Sequence, residues 1–215
     1  MKRAKVHFAL LLAVTGLIAG QAGATATATA PAATARLQTL EQDVVSRLNA
    51  TRVSRGLRPL ALSDDLQSAA VSHSRSMLAD GYFEHESRDG SPFFVRVKRY
   101  YAAAGFDTWS VGENLLYTTG EVSAAQVIKA WLDSPSHRQN MLSPAWREVG
   151  IGALQASSAG GTFGGEQTLV VTMDFGSRSG GTGQKTVKLV KPKPNPRSTP
   201  APPPVRRLLP VTIGV

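Results

Sequence analysis

The stretch "REVGIGALQASSAGGTFGGEQTLVVTMDFG", residues 147 to 176, decides the fold. Upstream of it apolar residues recur every three or four positions; here they alternate. "REVGIGAL" (147–154) and "TLVVTMDF" (168–175) read as two strands, because a period of two sorts side chains onto the two faces of a pleated sheet. The Gly-rich "SSAGGTFGGE" (157–166) between them has the composition of a hairpin loop. A third candidate strand, "SVGENLLYT" (110–118), lies upstream.

Working outward toward the N-terminus, the pattern is helical. Leu37, Leu40, Val44 and Leu48 form the stripe of an amphipathic helix, with Gly56 just beyond its end. Ser63 reads as the N-cap of a second helix, with Asp64 and Asp65 in its first turn, where the helix dipole favours acids. Its buried stripe is Leu66, Ala70, His73 and Met77, and Gly81 is its stop. "SRDGS" (87–91) makes a turn, after which Pro92 opens a third helix with Phe94, Val97 and Tyr101 on one face, ending before Gly105. A fourth runs from Val122 to Asp133, with Ala124, Ile128, Trp131 and Leu132 apolar and Pro135 as its stop. Three or four helices, a small antiparallel sheet and no repeating strand–helix–strand unit predict an α+β domain over residues 36–180, its helices packed on the sheet.

The ends read differently. Residues 1–24 join Lys2, Arg3 and Lys5 to the apolar run "FALLLAVTGLIAG" and then Ala22-Gly23-Ala24, the pattern of a cleavable secretory signal peptide. That run is well short of the ~20 residues a membrane span needs, so no membrane span is expected. Gln21 stands where a lipid-anchored chain would need Cys, so no lipid anchor is expected. Export to the periplasm or out of the cell follows. The chain contains no Cys, so packing rather than disulfides must hold the fold. Residues 25–35 are low in complexity and read as a flexible leader; residues 181–215, with "KPKPNPRSTPAPPP", read as a disordered basic, Pro-rich tail.

The net charge of +9 would suit a nucleic-acid partner until it is divided along the chain. Residues 1–35 hold three basic groups and no acid, residues 181–215 seven basic groups and no acid, and residues 36–180 hold 14 basic and 15 acidic residues. The body is near neutral, which excludes the basic surface of a nucleic-acid-binding domain. Charge alone would let the tail touch anionic polymers.

Three histidines lie in the exported part: His73, His85 and His137. His73 falls on the apolar stripe of its helix and reads as a buried, hydrogen-bonded core residue. His85 ("GYFEHESRDG") and His137 ("DSPSHRQNML") lie outside helices, where local structure does not require them. Glu113, between Val111 and the pair Leu115 and Leu116, reads as a partly buried carboxylate, which is costly unless paired, hydrogen-bonded or on a metal. Two imidazoles and a carboxylate suit one divalent cation, zinc first. H-E-x-x-H, G-x-S-x-G and the phosphate-loop motif are absent, and without Cys there is no thiol nucleophile.

Taken in order, "LNATRVSRGLRPLALSDDLQSAAVSHSRSM", "YFEHESRDG", "VGENLL", "WLDSPSHRQNML", "WREVGIGAL" and "MDFG" resemble the bacterial branch of the CAP superfamily, the cysteine-rich secretory, antigen 5 and pathogenesis-related class 1 proteins. The resemblance covers residues 40–176. It implies an α-β-α sandwich around a central antiparallel sheet, with a cleft of two His and two acids that holds a divalent metal in some members. Motif by motif, His85 matches the first family histidine, Glu113 the acid of G-E-N, and His137 the histidine of S-P-x-H-R-x-N. The second histidine motif of animal and plant members has no counterpart in "SPAWREVGIG", and Asp133 is the candidate for their helix acid. Asn114 and Asn140 are assigned scaffold roles around the cleft and Trp131 a core role, while Arg138 either pairs with a cleft acid or is solvated. The expectation is an exported binding module with a cation-capable cleft at His85, Glu113 and His137, recognising an envelope or extracellular ligand. Its competitors are a metal-assisted hydrolase of envelope peptide or glycan with Glu113 as base, and an adhesive protein acting through its tail.

Overall fold

The computed structural model describes residues 29–181. The signal peptide read in 1–24 and nearly all of the basic tail lie outside the described residues. Within them the order is α1 (Thr29–Val53), β1 (Ala61–Leu62), α2 (Asp64–Asp80), α3 (Phe93–Tyr100), β2 (Thr108–Thr119), α4 (Ala124–Asp133), α5 (Pro135–Leu142), β3 (Glu148–Ala159) and β4 (Glu166–Ser179). Helix α1 starts at Thr29, so residues 29–35, read as flexible leader, are helical.

The sheet runs β1-β3-β4-β2. The hairpin β3–β4 and the pair β2–β4 are antiparallel, as expected. Two-residue β1 adds a parallel edge beside β3, so the sheet is mixed rather than wholly antiparallel. A run that short shows no alternation to read. The strands also extend into the expected hairpin loop, with a bulge between Ala156 and Ala159 and one 3-10 turn at Gly161–Phe163 that buries Phe163.

Alternation divides the sheet into two packed faces. Leu116, Val171, Met173 and Phe175 pack with Val44 and Leu48 of α1, Val127 and Trp131 of α4 and Met141 of α5. Opposite, Leu115 and Val170 meet Met77 of α2, while Leu66 and Ala69 of α2 pack with Val97 and Tyr101. The result is the α-β-α sandwich expected. Two glycines in β3 set the spacing on the α2 side. A Cβ at Gly150 would lie 2.1 Å from the Gln67 nitrogen, and one at Gly152 2.5 Å from the Val71 nitrogen. The helix backbone therefore lies directly on the strand, and Ser74 Oγ reaches the Gly152 carbonyl at 2.9 Å.

Local chemistry explains the helix limits. The Ser63 side chain accepts from the Leu66 N–H, and Gly81 closes α2 in the left-handed region at φ 67°, its N–H on the Met77 carbonyl. Ser123 and Gln126 form a reciprocal capping box on α4. Leu66, Ala70, His73 and Met77 are all buried, as their spacing requires. On α3 the buried face differs from the one expected: Phe94 is exposed, while Phe93 joins Val97 and Tyr101. Pro135 does more than stop α4. It occupies the first turn of α5, where its missing N–H costs nothing, so His137 is a helical residue rather than a loop one.

Candidate functional site

Glu113 lies in edge strand β2 with its side chain 1% exposed. The strand turns it toward α2 and α3, and two groups reach it there. His85 Nδ1 lies 2.8 Å from Oε1, and Arg96 of α3 donates through Nη2 to Oε2. The other terminal nitrogen of Arg96, Nη1, holds the His85 carbonyl at 3.1 Å and Ser87 Oγ at 3.3 Å. One guanidinium thus anchors both the carboxylate and the loop carrying its histidine. Burial alone would raise the Glu113 pKa. The His85 hydrogen bond and the Arg96 charge outweigh it and hold the carboxyl below its ordinary range.

Asp174 sits opposite Glu113 in the β2–β4 register. It is fully buried, and among the described residues neither of its oxygens meets an N–H or O–H donor. Burial first, and the neighbouring Glu113 charge second, push its pKa well above the ordinary value. A carboxyl raised in this way keeps its proton to higher pH, and a proton held there can be shared with Glu113, which lowers the negative charge the pair must bury. His73, on α2, is buried too. Its Nε2 lies 2.9 Å from the Glu84 carbonyl, an acceptor only, so Nε2 carries the hydrogen. Burial pushes its pKa down to about 4, leaving a neutral imidazole at pH 7.

On the other side, an asparagine network ties α5 to β2. Asn140 Nδ2 donates to the Glu113 carbonyl and to Asn114 Oδ1, both at 3.0 Å. Asn114 Nδ2 donates to the His137 carbonyl at 3.1 Å. Asn114 and Asn140 therefore have the scaffold roles expected of them, and buried His137 is tied to the network through its backbone. Trp131 is core, its Nε1 on the Leu115 carbonyl.

Two residues assigned to the cleft lie elsewhere. Asp133 ends α4 in solvent, paired with Lys129 one turn back, the ordinary partner of an exposed helix carboxylate. Arg138 caps the Leu132 carbonyl at the surface. Arg96 and Asp174 were not anticipated. Asp174 had a signal in the sequence: it is the one charge in the apolar alternation of "TLVVTMDF". Arg96 had only an indirect one, the need of a buried Glu113 for a cation.

The donor set does not fit a bound cation. Both Glu113 oxygens are engaged, and a buried guanidinium already stands beside them. Among the described residues no three His, Asp or Glu side chains are grouped so as to hold a metal ion. As a base Glu113 is weaker than an ordinary carboxylate, because its two partners hold its pKa below the usual range.

The model of the cysteine-rich secretory protein family, CAP, matches residues 45–175. The chain belongs to the CAP family. This CAP domain is 34% identical over 143 residues to YkwD, an uncharacterized protein of Bacillus subtilis, covering 65% of the chain and 53% of YkwD. It is 28% identical over 114 residues to YlbC, an uncharacterized membrane protein of the same organism, covering 53% of the chain and 31% of YlbC. The chain thus spans about half or less of the length of these relatives. Among solved structures it is similar to an extracellular SCP-domain protein of Bacillus anthracis, at TM-score 0.48 and 24% identity, covering 64% of the chain and 40% of that protein. An outer surface protein of Borrelia burgdorferi follows at TM-score 0.46 and 21% identity, covering 63% of the chain and 90% of that protein. No helix among the described residues is long and apolar enough to cross a membrane.

Beside the Glu113 cluster the CAP domain has a pocket of about 280 Å³ lined by His73, Tyr82, Ser87, Arg88, Arg96 and Arg99, among others. Arg88 lies 5.8 Å from the Tyr82 ring centroid. Neither Arg88 nor Arg99 has a carboxylate within ion-pair distance among the described residues.

Proposed function

We propose that this CAP domain is an exported binding module that recognises an anionic, hydroxyl-bearing polymer of the cell envelope through the pocket beside Glu113. The observation that carries the reading is the pair Arg88 and Arg99 in the lining of a concave site, interleaved with Tyr82 and Ser87; Asp89 lines it too, yet among the described residues no carboxylate lies within ion-pair distance of either arginine, so the lining holds three arginines, Arg96 included, to one acid. Guanidinium groups recognise phosphate and carboxylate in bidentate fashion, while Ser and Tyr hydroxyls suit sugar or polyol hydroxyls. The Glu113 cluster serves this as a rigid wall: Arg96 belongs both to it and to the pocket lining. Hydrolysis with Glu113 as base is disfavoured by the engagement of both its oxygens.

Cosedimentation of the purified protein with bacterial cell-wall sacculi, before and after their anionic polymers are stripped, tests the proposal. Two exposed ion pairs of ordinary strength correspond to about a fivefold loss of affinity in Arg88→Ala/Arg99→Ala. Binding that survives both the double substitution and the stripping removes the reading.

A further inference from the structure

We infer that the Arg96 guanidinium is the resident cation of this cleft, standing where a divalent metal would otherwise be needed, so that the site is complete without one. Glu113 is a buried carboxylate facing a second buried carboxyl, Asp174. Such a pair requires a positive charge, and a cleft of imidazoles and acids ordinarily obtains it from a metal ion. Here α3 supplies it. Arg96 is buried, its Nη2 is on Glu113 Oε2, and its Nη1 is fixed by the His85 carbonyl and Ser87 Oγ. It is held from several directions at once, unlike a mobile surface arginine.

An ion approaching Glu113 competes with the guanidinium on Oε2 and the imidazole on Oε1. It must also sit beside a buried positive charge, where like-charge repulsion is far less screened than in water. Displacement would in turn strand Arg96, whose Nε has no hydrogen-bond partner among the described residues and which is itself buried. A carboxylate already neutralised in this way offers a divalent ion little net attraction. The role of Arg96 is the same whatever the neighbouring pocket binds.

Zinc titration by calorimetry, paired with thermal melts in about 1 mM zinc and in chelator, tests it on the untagged protein. A site filled at a hundred times its Kd raises Tm by about 5–10 °C in a domain of this size. The wild-type protein is expected to give no saturable heat and the same Tm in both conditions. Arg96→Met, which keeps the stem and removes the charge, is expected to gain a zinc-dependent rise in Tm, and Arg96→Lys to gain none. Stoichiometric zinc binding by the wild type that disappears in Glu113→Gln overturns the inference. So does an Arg96→Met protein that folds and remains indifferent to zinc. Should Arg96→Met not fold, the wild-type titration decides alone.

Discussion

Replacing Arg96 by Met removes one charge from a buried, hydrogen-bonded cluster, and the cost can be worked from its surroundings. The Arg96 side chain is 8% exposed and that of Glu113 1%, so water cannot take over either role. Breaking a buried ion pair by deleting one partner costs about 3–5 kcal/mol, and the lost bonds to the His85 carbonyl and Ser87 Oγ argue for the upper part of that range. The cost is tied to pH. In the wild type the folded-state pKa of Glu113 lies below its ordinary value, so its contribution is fully present above the unfolded value of 4.5 and is lost as pH falls through the folded one. In Arg96→Met burial is less opposed, so the folded pKa of Glu113 moves up from its wild-type position and the variant takes up a proton at a pH where the wild type does not. The variant's deficit is then largest near pH 7 and shrinks as pH falls through the variant's folded pKa, by about 1.4 kcal/mol for each unit by which that pKa has moved. Urea unfolding of both proteins at pH 7 and at about pH 4 measures this. A deficit under about 1 kcal/mol at pH 7, or one equal at both values, would refute the reasoning.

Other consequences are equally direct. With His73 pushed from 6.5 to about 4 by burial, the unfolded chain binds its proton first, so stability falls by about 3 kcal/mol as pH drops from 6.5 to 4. His73→Gln should lose that share of the pH dependence in a melt series. Gly152→Ala places a Cβ 2.5 Å from the Val71 backbone nitrogen, a clash no rotamer relieves, and should cost about 3 kcal/mol or more in denaturant unfolding. Gly160→Ala is its control: nothing lies within 4 Å and φ is −78°, so a change within about 0.5 kcal/mol is expected. Ser123→Ala removes the capping box of α4 and should cost about 1 kcal/mol in the same assay.

What was legible in the sequence follows from how local each signal is. Helix α2 was readable from end to end because its cap, its stripe and its Gly81 stop all lie within one short segment and agree. Strands β2, β3 and β4 were readable because alternation is a local pattern. Strand β1 was not, since two residues cannot alternate and its pairing with Glu148 and Val149 is a long-range event. Helix α5 was hidden because Pro135 ends one helix and begins another, and both readings use the same residue. Within the site, His85, Glu113 and His137 were placed together by motif; His85 and Glu113 do meet, whereas His137 is joined to the Glu113 strand through its backbone carbonyl, on Asn114. Asp133, chosen for its position near Trp131, points instead to solvent, because helix phase rather than nearness in sequence decides facing. Arg96 was invisible for a related reason. A buried carboxylate announces that it needs a cation, but not which of the chain's many arginines will be folded against it.

The charge state of the facing carboxyls is the point on which the cluster stands, and carbon-13 NMR of the Glu113 and Asp174 side-chain carboxyls, titrated from about pH 8 to about pH 3, reads it directly. Glu113 should stay ionised to below its ordinary range, while Asp174 should hold its proton to well above its own. An Asp174 carboxyl that titrates with the exposed aspartates, or a Glu113 that takes up its proton first, would contradict the account.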